Sequence, residues 1–117
     1  MDDFAALGVE IDEMLDWRDS PALFTGHDVS GTRCLGVLVA ATPVARTWLL
    51  AAISQTALGC VLAGKAELRD VFRHTPTGFV ETVIVEPSGR ITPSVRLCTE
   101  LVEADLPGAG ERLAMVA

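Results

Sequence analysis

The chain of 117 residues contains 16 acidic and only 9 basic residues, which gives a formal net charge of −7. Binding to nucleic acid or to an anionic membrane depends on clustered Lys and Arg, whereas the basic residues here are scattered and Lys65 is the single lysine. We therefore expect no direct contact with nucleic acid or with a membrane.

Half of the residues (50%) are hydrophobic but only 5% are aromatic, so the core must be assembled mainly from Ala, Val and Leu. The length corresponds to a single domain over residues 1–117. Because a small domain this apolar often covers part of its surface with another protein, we expect a protein partner or a homo-oligomer. The scarcity of lysine beside abundant Ala, Gly and Val indicates a bacterial protein.

Three features of the sequence predict a cytoplasmic protein. Met1 is followed by Asp2 and Asp3, where a secretory signal peptide needs positive charge. The apolar run from Trp48 to Leu62 is shorter than the ~20 residues of a membrane-spanning helix. The cysteines at positions 34, 60 and 98 lack the paired spacing of a disulfide framework, which favours reduced thiols.

The N-terminal stretch, residues 2–17, allows two interpretations. Its apolar positions fit a helical stripe, but the residues from Ile11 to Trp17 equally fit an alternating strand. Periodicity alone leaves helix and strand open. We favour a strand over Val9 to Trp17, followed by a turn at Arg18-Asp19-Ser20-Pro21.

Three further strands are predicted, at Ala22 to His27, Arg33 to Ala41 and Arg46 to Ile53. The links between them contain Asp, Ser, Pro and Gly, which favour tight turns. The middle strand is apolar on both faces, as expected of a central strand. Short strands joined by tight turns predict an antiparallel meander.

A helical insertion is predicted next. Ser54 is a suitable N-cap for a helix from Gln55 to Ala63, and Gly64 is a natural helix terminator. A second helix is expected from Ala66 to Arg73 and is amphipathic. Its apolar side carries Leu68, Val71 and Phe72, and its charged side, which we expect to be exposed and paired along the helix, carries Glu67, Arg69, Asp70 and Arg73.

Two last strands complete the prediction. Phe79 to Val85 alternates as a strand, the turn Glu86-Pro87-Ser88-Gly89 follows, and Arg90 to Leu101 returns as a looser strand before an irregular tail from Glu103. The predicted fold class is α+β. We expect an antiparallel sheet of five to six short strands with a helical insertion (about residues 54–74) packed on one face.

The segment from Gly59 to Lys65 has the G-x-x-x-x-G-K spacing of a phosphate-binding loop. Such a loop needs a hydroxyl after the lysine and an open, glycine-rich nest. Here Ala66 follows the lysine, and the four intervening residues are apolar and helical in character. The pattern therefore predicts a helix that ends at Gly64.

Cysteine and histidine provide the other candidates for chemistry. Cys34 and Cys60 stand in apolar surroundings, where cysteine packs as a small hydrophobic residue, while Cys98 lies in a less apolar strand. No C-x-x-C or H-x-x-x-H spacing is present for zinc. We expect no metal and no cofactor.

The acidic residues of positions 10–19 have two interpretations. They lack the order of an EF-hand loop and any histidine among them, so a solvated face explains them simply. The alternative is a negative docking surface for a basic protein, because complementary charge speeds and orients association. The residues that we assign to such a surface are Asp12, Asp16 and Asp19.

Several short motifs occur in a fixed order: D-W-R-D-S-P-A-L-F at 16–24, D-V-S-G-T-R-C-L at 28–35, T-W-L at 47–49, L-R-D-V-F at 68–72 and A-D-L-P-G-A-G-E-R-L at 104–113. In this order the chain resembles a family of small bacterial domains without an assigned function. The resemblance covers roughly residues 9–90. It implies a strand over residues 9–17 and an α+β meander with a helical insertion, and it implies no catalytic residues.

Two functions from different classes are open. A protein-interaction module without catalytic activity, such as a regulatory, immunity or defence-associated adaptor, is consistent with the acidic charge, the apolar content and the lack of a coherent catalytic motif. The alternative is a small enzyme or ligand-binding domain with a pocket between the sheet and the helices. That pocket would use Asp70, Arg73 and His74. The fold by itself does not choose between them.

Overall fold

The computed structural model describes residues 7–17 and 21–107, which contain one antiparallel sheet with its strands in chain order. Two short helices lie between the fourth and fifth strands, so the α+β class and a sheet of six strands are confirmed. Two 3-10 turns follow the last strand, at Cys98–Glu100 and Glu103–Asp105. The strands are β1 (Val9–Trp17), β2 (Pro21–Asp28), β3 (Arg33–Thr42), β4 (Ala45–Ala52), β5 (Phe79–Val85) and β6 (Ile91–Leu97), and the helices are α1 (Gln55–Leu62) and α2 (Leu68–Arg73).

The predicted strand over Val9 to Trp17 is confirmed, and its pairing explains why its periodicity was ambiguous. β1 pairs with β2 through a register that shifts three times, between Ile11 and Glu13, between Met14 and Asp16, and again before Trp17. Each shift places an extra residue on one strand, which interrupts the period of two. The apolar residues of β1 therefore do not alternate regularly.

Tight turns follow β2, β3 and β5 where the sequence predicts them, whereas residues 18–20 of the turn predicted after β1 lie outside the described residues. The Asp28 carboxylate accepts hydrogen bonds from the backbone N–H groups of Ser30 and Thr32, and Gly31 adopts a φ of 87°. At the β5–β6 turn, the N–H of Gly89 donates to the carbonyl of Glu86 at 2.9 Å. Side-chain acceptors and left-handed glycines are what such turns require.

Helix α1 begins at Gln55 as predicted and ends at Leu62, one residue earlier than predicted, with Ala63 as its C-cap. The Ser54 hydroxyl accepts a hydrogen bond from the backbone N–H of Ala57 at 3.1 Å, and Gly64 adopts a left-handed φ of 69° just beyond the helix. Helix α2 begins at Leu68, two residues later than predicted, because Glu67 is extended and occupies the N-cap position.

Side chains of each strand alternate between two faces of the sheet, and both faces contain buried apolar clusters. We call the face that carries Leu35 and Leu49 the back face; its cluster also contains residues of both helices, such as Leu58 and Phe72. The opposite face, which we call the front face, has a smaller buried cluster. That cluster consists of Val9, Phe24, Cys34, Trp48, Leu50 and Val83.

The segment after β6 differs from the prediction of a strand as far as Leu101. β6 ends at Leu97, and the two 3-10 turns bring the chain back to helix α2, with Leu106 buried in the back-face cluster. Arg69 donates from Nε to the carbonyl oxygen of Pro107 at 3.2 Å and forms an ion pair with Glu103. The prediction that Arg69 is exposed is therefore wrong, because residues 103–107 cover it.

No helix within residues 7–17 and 21–107 is long and apolar enough to cross a membrane.

Candidate binding surface

The segment that imitates a phosphate-binding loop is helical. Residues 59–62 belong to α1, and the N–H of Ala63 donates to the carbonyl of Gly59 at 3.0 Å. Backbone amides that are bonded within a helix do not form the open nest that cradles phosphate. The prediction that this segment is helical is confirmed; the helix itself ends at Leu62, and the left-handed Gly64 follows its C-cap.

The three cysteines have different environments. Cys34 is buried as predicted, and its burial, the largest cause, raises the pKa of its thiol to about 11. Cys60 is exposed, so the prediction that it packs in the core is wrong: Leu58 and Val61 face inward, and Cys60 between them lies on the outer side of α1. In the described part of the chain, no group of three or more His, Cys, Asp or Glu side chains is placed to hold a metal ion.

Of the acidic residues assigned to a docking surface, the structure describes the side chain of Asp12 alone; the side chain of Asp16 and the whole of Asp19 lie outside the described residues. Asp12 accepts a hydrogen bond from Nδ1 of His27 at 2.9 Å, and Glu10 lies 3.4 Å from Nε2. The hydrogen bond to Asp12 is the main cause that raises the pKa of His27 above 6.5. Asp12 is therefore engaged with its neighbouring strand.

The residues proposed for a ligand pocket are only partly brought together. Asp70 and His74 both line a pocket of about 250 Å³ between α1, α2 and the end of β4. Arg73 instead lies 3.1 Å from Glu103, with which it forms an ion pair. Two of the three predicted residues, Asp70 and His74, therefore share one pocket. The third, Arg73, contacts the segment after β6 through its ion pair with Glu103.

The walls of this pocket are largely apolar. They include Ala52, Ile53 and Val71, and Cys60 of α1 also lines the pocket. A nucleophilic cysteine needs a base within hydrogen-bond reach. Within residues 7–17 and 21–107, no hydrogen bond joins the side chains of Cys60, Asp70 and His74 to one another.

The front face contains an exposed apolar surface that the sequence did not single out. Phe79 is 52% exposed, Val95 61% and Leu97 45%. Phe79 pairs directly with Leu97, and Glu81 pairs with Val95, so the four side chains lie side by side on β5 and β6. We call Phe79, Glu81, Val95 and Leu97 the front patch.

Glu81 is the polar residue at the centre of this surface. Its neighbours across the strands are Leu50 and Val95, and its neighbours along β5 are Phe79 and Val83. Burial raises the pKa of the Glu81 carboxyl, and no hydrogen bond or charged group among the described residues contributes to that shift. A partly buried carboxylate in an apolar cleft is a candidate for a functional site.

A groove of about 330 Å³ lies beside the patch on the front face. Cys34 and Leu50 form part of its floor, Phe79 and Val95 line one side, and Leu7 lines it as well. The groove also reaches the Asp28 carboxylate. Hydrogen bonds from Ser30 and Thr32, which Oδ1 accepts, lower the pKa of Asp28 and commit that oxygen to the β2–β3 turn.

The outer edge of β6 is poorly suited to accept another strand. The backbone N–H of Cys98 donates to the carbonyl of Gly78, and the carbonyl of Arg90 accepts from the N–H of Glu86. The backbone N–H and C=O groups of even-numbered residues in β6 therefore face β5, and those of odd-numbered residues face outward. Among the outward positions, Pro93 has no N–H, and the N–H of Leu97 donates to Glu100 Oε1 at 2.8 Å. A missing N–H and an N–H that is already bonded both protect an edge against strand addition.

No known protein family, curated protein or solved structure matches this chain. The alternation of β6, in which Ile91, Pro93, Val95 and Leu97 are apolar, was visible in the sequence. What was not visible is that nothing in the described chain covers Val95 and Leu97.

Proposed function

We propose that this protein is a protein-interaction module without catalytic activity that binds its partner through the front patch. The observation that supports this proposal is the set of exposed apolar side chains, Phe79, Val95 and Leu97, around the partly buried carboxylate of Glu81. Single exposed apolar residues are common, but a contiguous patch with polar surroundings is typical of an interaction site. A regulatory, immunity or defence-associated adaptor in the bacterial cytoplasm is the role that we infer.

The fold supports this proposal because the two faces of the sheet have different surroundings. We propose that the helical insertion packs as a layer on the back face, because Leu58, Val61 and Phe72 are buried in one cluster with Leu35 and Leu49. The front face then remains for a partner. The resemblance to a family of small bacterial domains is compatible with this arrangement and remains a prediction.

Site-specific photo-crosslinking tests the proposal. A photoreactive amino acid placed at Val95 should cross-link a partner in cells of the native host, whereas the same amino acid at Val44, which is 72% exposed in the β3–β4 turn, should not. Phe79→Ser in the same chain should remove the cross-link from position 95. Equal cross-linking from both positions, or none from position 95, would contradict binding through the front patch.

A second function, binding of a small molecule, is favoured by the pocket of about 250 Å³ that Asp70 and His74 line. Small apolar pockets with a few polar groups bind small ligands. Ala57→Leu should fill this pocket and abolish the NMR shifts that small aromatic compounds such as indole cause at His74. If indole causes no shift at His74 in the wild-type protein, this function loses its support.

Docking of a basic partner on Asp12, Asp16 and Asp19 remains a third proposal. Charge complementarity supports it, but Asp12 already binds His27. The test reverses these three charges and measures cross-linking from position 95. An unchanged cross-link would assign binding to the front patch and not to the acidic residues.

A further inference from the structure

The groove beside the front patch combines apolar walls with negative charge. Its lining residues within the described chain include two carboxylates, Glu81 and Asp28, and no Lys or Arg. One oxygen of Asp28, Oδ1, accepts the hydrogen bonds from Ser30 and Thr32 within its own turn. Glu81 forms no hydrogen bond or ion pair with the described residues and lies among the apolar side chains of the front patch, so it is the acceptor placed to meet an incoming group there.

Glu81 is also unfavourable in the free protein. Removing a carboxylate from water without an ion pair or hydrogen bond raises its free energy, which is why burial raises the pKa of this group. A cation placed beside Glu81 would compensate that desolvation. A neutral apolar occupant would bury the carboxylate further without compensating it.

From this arrangement we propose that the front patch recognises a segment of another protein in which one Lys or Arg is flanked by apolar residues. The cation binds the Glu81 carboxylate, and the flanking side chains pack against Phe79, Leu97 and Leu50. This inference rests on the proposed function, because it identifies the partner of the same surface.

A second copy of this chain is a less suitable occupant. Four of its arginines already form ion pairs within the chain: Arg69 and Arg73 with Glu103, Arg90 with Glu86, and Arg96 with Asp105. Each copy also has a formal net charge of −7, so two copies repel each other at long range. A segment from a more basic protein meets neither obstacle.

Selection from a display library of random twelve-residue peptides tests the proposal without a known partner. The wild-type protein should enrich peptides with Lys or Arg between apolar residues. Fluorescent versions of those peptides should bind Glu81→Gln at least about tenfold more weakly, because the buried charge pair is lost. Glu13→Gln, which removes an exposed carboxylate outside the groove, is the matched control and should bind as the wild type does.

The outcomes distinguish two hypotheses: that the front patch binds a partner, and that this partner presents a cation to Glu81. If the selected peptides lose binding on Phe79→Ser but not on Glu81→Gln, the front patch is an interaction site and the cationic partner is wrong. If no selected peptide depends on Phe79, binding through this patch is wrong as well. Self-association in light scattering that Phe79→Ser abolishes would replace the peptide by a second copy. Thermal melts of each variant confirm that it is folded.

Discussion

The ring of Phe24 on β2 lies directly over Gly36 on β3. The two residues are paired across the strands, and a Cβ at position 36 would overlap the ring atoms of Phe24. Phe24 itself is fully buried and contacts Trp48 edge-on, with 5.5 Å between the ring centroids. The absence of a side chain at Gly36 is therefore what allows the aromatic pair of the front-face cluster to form.

Gly36→Ala should destabilise the protein by about 1–3 kcal/mol, because the added methyl group must displace a buried ring. Chemical denaturation measures this change. Gly59→Ala is the control: Gly59 lies within α1 and a Cβ there meets nothing within 4 Å, so this variant should gain about 0.5–1 kcal/mol from helix propensity. Equal effects of the two substitutions would contradict the packing of Phe24 on Gly36.

Arg69 should anchor the C-terminal segment. Arg69→Met removes its hydrogen bond to the Pro107 carbonyl and its ion pair with Glu103, which leaves a buried carbonyl without a donor and should lower stability by about 1–3 kcal/mol. Limited proteolysis should then cut within residues 98–107 faster. Arg73, whose side chain is 43% exposed, provides the control. Arg73→Met should change stability by less than about 1 kcal/mol.

His27 should report on the contact between β1 and β2. The hydrogen bond and charge of Asp12, with smaller contributions from Glu10 and Asp28, raise the pKa of His27 above 6.5. A raised pKa means that the protonated histidine favours the folded state, so this contribution is complete below pH 6.5 and is lost as the pH rises through the folded-state value. NMR titration of the imidazole should show a lower pKa in Asp12→Asn, and a smaller decrease in Glu10→Gln. An unchanged titration in Asp12→Asn would exclude the contact.

The sequence predicted the parts of this fold that local chemistry determines. Ser54 caps the start of α1 and Gly64 follows its C-cap, as the sequence predicts, because a cap and a terminator act within a few residues. Phe79 to Val85 has the predicted limits for the same reason: alternation and flanking turns are local. The strand β1 is harder to distinguish from a helix by its sequence, because its register shifts disturb that alternation.

What the sequence did not predict depends on contacts between distant segments. The amphipathic pattern of α2 predicts an exposed Arg69, but its partners Glu103 and Pro107 are more than thirty positions away and no local pattern indicates them. Glu81 is one acidic residue in an apolar strand. Its significance appears only when Leu50 and Val95 are seen on either side of it.

The three thiols should react in the order of their exposure. Cys60 is exposed, Cys98 is partly buried and Cys34 is buried with a pKa of about 11, and only the accessible thiolate reacts rapidly. With Ellman's reagent in the folded protein, Cys60 should react first and Cys34 only after denaturant is added. Cys60→Ser should remove the fast phase. A fast phase that persists in that variant would contradict the exposed position of Cys60.

Glu81→Gln should stabilise the free protein at neutral pH while it weakens binding. Burial raises the pKa of Glu81 above its ordinary value of 4.5, so the folded state prefers the protonated form. The wild-type protein therefore has its full stability below that value and loses part of it as the pH rises through the folded-state pKa. Glutamine stays neutral at every pH, so the variant should be the more stable of the two at pH 7, and the difference should disappear below pH 4.5.

Denaturant unfolding of both proteins between acidic and neutral pH measures this difference. Glu13→Gln, an exposed position on β1, should show no comparable gain. A carboxylate that supports the fold would behave in the opposite way, because its removal would lower the free energy of unfolding at pH 7. A gain in stability together with a loss of peptide binding would indicate that Glu81 serves the partner and not the core, since a group that is unfavourable in the free protein becomes favourable only when a cation reaches it.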